Sequence, residues 1–136
     1  MKVYVLDSSA ILIYLVGASS SSKIARLIQE GHSGEAQLCI SAVNWAECQY
    51  IVTRREGAAA AHARLSRLAR GLEVLPADQQ RAERAGNLRC RFHSSLADCF
   101  AASLAIELQA TLVTSDPDFE LLKHEIKILR LEKPHE

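Results

Sequence analysis

Lys2-Val-Tyr-Val-Leu6-Asp7-Ser8-Ser9-Ala10-Ile-Leu-Ile-Tyr-Leu-Val16 opens the chain, and its reading decides the fold. The β-branched and apolar run over residues 2–6 predicts a buried strand ending at Asp7. Ser8 and Ser9 offer hydroxyl caps for a helix over 10–16. The same alternation recurs down the chain. Gly17 and serines 19–22 read as a loop, 23–30 as a second helix, 31–34 as punctuation and 37–40 as a second strand. Ser41 caps a helix over 42–56, Gly57 separates it from another over 58–70, and 72–75 is a third strand. Pro76 and Asp78 open a helix to about 91, and a turn at His93, Ser94 and Ser95 leads into the most apolar helix, 96–109. Strand 110–114, Asp116-Pro117 with a short helix, and strand 127–131 close the chain. Strands alternating with helices and forming no hairpin predict an α/β fold with a mainly parallel sheet. Residues 1–136 read as a single domain, without repeat or low-complexity linker.

A chain of 136 residues, 49% apolar and 24% charged, can bury a core without staples. Its net charge of zero gives no hint of a nucleic-acid partner, but the charge is unevenly spread. Residues 1–53 sum to −1, 54–91 to +5 with nine arginines, and 92–136 to −4, so a basic face can stand beside an acidic one. Cys39, Cys48, Cys90 and Cys99 form no C-x-x-C pair, and three lie in expected core segments, as in a reduced intracellular protein. A zinc site from Cys90, His93 and Cys99 matches no standard spacing and lacks a fourth ligand. Asp7 interrupts what otherwise resembles a signal peptide, and no apolar run approaches the roughly 18 residues of a membrane span. The expectation is a soluble, cytoplasmic protein.

Three acids have ordinary explanations when taken singly. Asp7 can cap the first helix, Asp98 follows Ser95 by three as in a capping box, and Asp116 precedes Pro117 at a helix start. Glu47 has none. It shares a helix face with Val43, Tyr50 and Ile51, expected to pack on the sheet, and no lysine or arginine lies within a turn. A glutamate buried there is costly unless it finds a distant partner or a metal. In an open parallel sheet, acids that cap the helices after each strand gather along one edge. Gathered carboxylates raise one another's pKa, and a divalent ion relieves the conflict, magnesium or manganese being favoured by hard oxygen ligands. Two helices separate each of the first three strand pairs, so Asp98 reaches that edge only if the first helix of its pair projects sideways.

A strand ending in Asp7-Ser-Ser-Ala, then Ser-Ala-Val-Asn-Trp-Ala-Glu47, Leu-Ala-Asp98-Cys-Phe-Ala-Ala-Ser-Leu-Ala and Leu-Val-Thr-Ser-Asp116-Pro-Asp-Phe, in that order, resembles the PIN-domain nucleases. Length and order fit the VapC toxins of type II toxin–antitoxin pairs, and the resemblance covers essentially the whole chain. It implies a three-layer domain with a central, mainly parallel five-stranded sheet flanked by helices. It also implies an acidic pocket for one or two Mg²⁺ or Mn²⁺ ions. Asp7, Glu47, Asp98 and Asp116 match the family's acidic positions, Ser9 and Thr114 its supporting hydroxyls, and Asp118 can assist or replace Asp116. A cognate antitoxin and a homodimer are implied as partners. Cys99 stands where a small residue such as alanine is more usual, and a thiol there would be open to oxidation.

The implied chemistry is endoribonuclease cleavage of RNA. Asp7 and Asp98 are expected as principal metal ligands, while Glu47 and Asp116 complete the shell or orient the attacking water. Arg64, Arg67, Arg70, Arg81, Arg84, Arg89 and Arg91 read equally well as solvated helix faces or as RNA contacts, so no substrate-binding residue is assigned. A dehalogenase-like phosphatase would want an Asp where Ser9 stands. A phospho-acceptor receiver would want an Asp near the middle, and residues 48–77 contain none. The remaining alternatives are a non-catalytic PIN-like binding module and a solitary RNA-processing nuclease.

Overall fold

A computed structural model of the chain describes residues 1–17 and 22–133. The expected serine loop falls mostly on residues 18–21, outside those described. Five strands, β1 (Lys2–Leu6), β2 (Ala36–Ser41), β3 (Glu73–Leu75), β4 (Thr111–Thr114) and β5 (Ile128–Arg130), alternate with six α-helices. These are α1 (Ser8–Val16), α2 (Ser22–Ser33), α3 (Ala42–Glu56), α4 (Ala58–Ala69), α5 (Gln79–Arg89) and α6 (Leu96–Leu108), and a 3₁₀ helix spans Pro117–Leu122.

Most helix starts follow the expected caps. Ser41 accepts the Val43 N–H at 3.2 Å, Asp78 that of Arg81 at 2.9 Å, and Ser95 that of Asp98 at 3.1 Å. The first helix begins at Ser8 rather than residue 10, and of the caps the sequence offers it takes Asp7, whose extended backbone lets the carboxylate accept the Ala10 N–H at 3.0 Å. Gly17, at φ 71°, ends that helix by bonding its N–H to the Ile13 carbonyl, a left-handed position that suits glycine.

All strand pairs are parallel, in the order β3-β2-β1-β4-β5. Successive strands run outward from β1 to one edge, then from β4 to the other, so the order reverses between β1 and β4. Ligands of open α/β sheets bind in the crevice at such a reversal, beyond the strands' carboxyl ends.

Alternation along each strand sends neighbours to opposite faces. Leu6, Leu38, Ile40 and Val113 join a core with α1 to α4, while Val5, Cys39 and Leu112 join one with α5, α6 and the 3₁₀ helix. The result is three layers with the sheet in the middle.

The difficulty over Asp98 is resolved by α5. Arg81, near the start of α5, donates to Glu107, near the end of α6, through Nε at 3.2 Å and Nη2 at 3.1 Å, so the two helices run antiparallel. Helix α5 packs chiefly on α6, and α6 lies across β1, β2 and β4. Its amino end, with Asp98 in the first turn, therefore arrives at the carboxyl edge of the sheet.

Candidate active site

The register of the two central strands sets the crevice. Leu6 lies opposite Val113, and the Asp7 N–H donates to the Val113 carbonyl at 3.2 Å, which brings the Asp7 side chain against the end of β4. Asp7 is only 3% exposed. Its Oδ1 accepts the Ser9 hydroxyl at 2.6 Å and the Ala10 N–H at 3.0 Å, and its Oδ2 accepts the Thr114 hydroxyl at 2.5 Å. Each hydroxyl is oriented by a further donor. The Ser115 N–H bonds Ser9 Oγ and the Asp116 N–H bonds Thr114 Oγ1, both at 3.0 Å. A carboxylate offers about four lone-pair positions, and these donors leave one on Oδ2.

Burial pushes the Asp7 carboxyl up from 3.8 to about 6. The three donors act against that rise, and the neighbouring Asp98 charge adds to it. Asp98 is thus near enough to Asp7 for the two charges to oppose each other. Asp98 is half-buried, the Ser94 hydroxyl donates to its Oδ2, and its own N–H is capped by Ser95. Asp116 is half-buried at the start of the 3₁₀ helix, where its Oδ1 accepts the Asp118 N–H at 2.9 Å, whereas Asp118 is exposed.

Glu47 requires a correction. Its expected companion Tyr50 is 60% exposed, Val43 and Ile51 are only half-buried, and the buried stripe of α3 is Asn44, Cys48 and Val52. Glu47 is half-buried beside this stripe, so the case for a deeply enclosed glutamate falls. It still belongs to the neighbourhood. Burial, then the charges of Glu47 and Asp7, pushes the intervening Cys48 thiol up to about 12, and Cys48 Sγ approaches the Ser8 carbonyl at 3.9 Å.

The structure therefore links Asp7, Ser9, Thr114 and the Asp116 backbone directly, and sets Asp98 within electrostatic reach. Glu47 and Asp118 stand at the margin. Among the described residues, no three His, Cys, Asp or Glu side chains are placed closely enough to hold an ion as they stand. The donors nonetheless fit a hard divalent ion: they are all oxygen, Asp7 retains a free lone-pair position, and none of the four acids has an ion-pair partner among the described residues.

Two further residues matter here and were not singled out by the sequence. Ser94 holds Asp98. Asn44, 1% exposed, bonds its Nδ2 to the Ala97 carbonyl at 3.1 Å, joining α3 to α6. A poor helix former among apolar residues was the available signal for Asn44. The oxidation expected at Cys99 is also corrected. That side chain is fully buried, and burial raises its thiol above the ordinary value, so reactive thiolate is disfavoured.

A family model of the PIN domain matches residues 4–125. The fold is similar to DNA-bound VapBC from Salmonella typhimurium, with a TM-score of 0.78 and 21% identity over 96% of this chain and 98% of that one. It is similar to VapBC2 from Rickettsia felis, bound to a promoter DNA fragment, with a TM-score of 0.77 and 20% identity over 96% and 99%. It is also similar to VapC20 of Mycobacterium tuberculosis, a sarcin-ricin loop cleaving toxin, with a TM-score of 0.67 and 19% identity over 88% and 94%. No curated protein matches the chain significantly.

Proposed function

We infer the function from the premise that this chain belongs to the PIN domain family: it is a divalent-metal-dependent endoribonuclease, the toxin of a toxin–antitoxin pair. The observation that carries this reading is Asp7, an almost fully buried carboxylate at the reversal of strand order, held by three donors and facing a second acid without a basic partner. A structural cap has no need of such burial, and an acid kept there at a cost is a candidate for chemistry.

Asp7 and Asp98 would hold Mg²⁺ or Mn²⁺, and Glu47 and Asp116 would complete the shell or orient water. When bound, such an ion activates water and offsets charge on a phosphodiester undergoing in-line attack. The chain's own work is orientation. Ser9 and Thr114 fix both oxygens of Asp7, Ser94 fixes one of Asp98, and the Asp116 N–H keeps the Thr114 hydroxyl turned toward Asp7. The antitoxin reading rests on likeness to VapBC complexes in fold. No helix among the described residues is long and apolar enough to cross a membrane.

The test is cleavage of a structured-RNA pool by purified chain with Mn²⁺, Mg²⁺ or chelator, beside Asp98→Asn. Metal-dependent cleavage that falls roughly a hundredfold or more in the variant is expected. Equal cleavage in chelator, or by the variant, would refute the carboxylate mechanism.

A further inference from the structure

Asn44 is a buried polar residue whose chemistry is left over once the acids of the crevice and their hydroxyl partners have been described. It is the third residue of α3, and its Nδ2 reaches the carbonyl of Ala97, the residue before Asp98, at 3.1 Å. A carbonyl only accepts hydrogen bonds, so the amide must turn its NH₂ to Ala97, and the orientation is not arbitrary. Its Oδ1 is then enclosed with no hydrogen-bond partner, the one such buried side-chain atom among the described residues. Nearly all buried polar atoms in folded proteins are partnered, and an unmet one costs stability. A leucine of similar volume would fill the space without that cost.

Glu47 lies one turn beyond Asn44 on α3, and Asp98 immediately follows the carbonyl that Asn44 holds. We propose that Asn44 is a positioning residue: by tying the first turn of α3 to the first turn of α6, it sets Asp98 relative to Glu47 and Asp7. Neither strand register nor capping does this. Ser95 caps α6 from within its own segment, and Ser94 reaches Asp98 from the same loop, so both would move with the helix. The Asn44–Ala97 bond ties that turn to a different element of the fold, across 53 positions of sequence.

This role rests on the metal-site reading, so the experiment separates the two. Amide hydrogen exchange, Mn²⁺ titration and thermal unfolding are compared for the wild-type chain, Asn44→Leu and Asn44→Ala, with Asp98→Asn as ligand control. In both Asn44 variants, exchange at the Asp98 and Cys99 amides should rise about tenfold while the rest of α6 is unchanged. Mn²⁺ affinity should weaken roughly 10- to 100-fold, the usual effect of losing a residue that orients a ligand. Asn44→Leu should unfold no earlier than wild type, which separates positioning from a structural role, and Asn44→Ala supplies the same loss if leucine does not fit. Wild-type Mn²⁺ affinity in both variants overturns the proposal. If the wild-type chain takes up no Mn²⁺, the metal reading falls, and exchange alone decides: local acceleration at Asp98 upholds the positioning role, and unchanged exchange overturns it.

Discussion

The acids paired with arginines and those of the crevice live under opposite rules. Glu56 pairs with Arg64 at 2.5 Å, Glu107 with Arg81 and Arg84 at 3.1 and 2.9 Å, and Glu125 with Arg91 at 2.6 Å. These pairs stand partly in solvent and absorb four arginines of the basic middle block. Arg64 also donates to the Leu15 carbonyl at 2.5 Å, at the carboxyl end of α1, where a cation suits the helix dipole. In the crevice, Asp7 is far more deeply buried yet has hydroxyls and amides for company. Surface pairs contribute little, whereas a buried carboxylate without a cation is held at a cost. The difference teaches where to look for chemistry in a neutral protein. Four arginines are spent on surface acids, and the telling acid is the one buried without a counter-charge.

The largest expected effect separates the regions outright. Asp7→Asn should reduce RNA cleavage roughly a hundredfold or more. The same variant should raise stability at pH 7, measured by urea unfolding without metal, by up to about 3 kcal/mol, because a carboxyl raised from 3.8 to about 6 is disfavoured as the anion inside the fold. A variant that loses activity and stability together would show that Asp7 is needed as a cap above all.

A pH series sharpens the same contrast. The native state holds the Asp7 proton more tightly than the unfolded chain. Its contribution to stability is therefore fully present below pH 3.8 and is lost as pH rises through about 6. The Tm difference between Asp7→Asn and wild type should widen over that interval and then level off. Mn²⁺ should raise the wild-type Tm more at pH 7 than at pH 4.5, since only the anion is a good ligand. The smallest effect belongs to the arginine-paired acids. Glu107→Gln loosens two ion pairs but should cost no more than about 1 kcal/mol in urea and leave cleavage unchanged. A larger loss would mean that the α5–α6 pairing depends on those charges.

Layer architecture and strand direction were legible because both are written locally, in apolar runs, caps and breakers. Strand order was not, since nothing within β1 states that its second neighbour is residues 111–114 rather than 73–75. Nor was the course of α5, which is set by its packing on α6, a segment distant from its own local signals. At the site, Asp7, Asp98 and Asp116 could be read as caps, and Asp7 proves to be both cap and the most enclosed acid. Glu47 misled because apolar spacing picked the face of Val43, Tyr50 and Ile51, while the helix buries the face of Asn44, Cys48 and Val52. A pattern that counts hydrophobic residues cannot see a stripe led by an asparagine. The pairing of Asp7 with Thr114 is a tertiary fact; resemblance to a family pointed at Thr114, and periodicity did not.

That pairing has a consequence for biosynthesis. Asp7 and Thr114 are separated by 107 positions, and β1 lies between β2 and β4. As the chain leaves the ribosome, one side of β1 can pair once β2 is available, while the other stays bare until residues 111–114 arrive. A product halted before then would carry Asp7, Glu47 and Asp98 but no wall to hold them, and a central strand with an unprotected edge open to foreign strands. Such a fragment is expected to be harmless as a nuclease and hazardous as an aggregate.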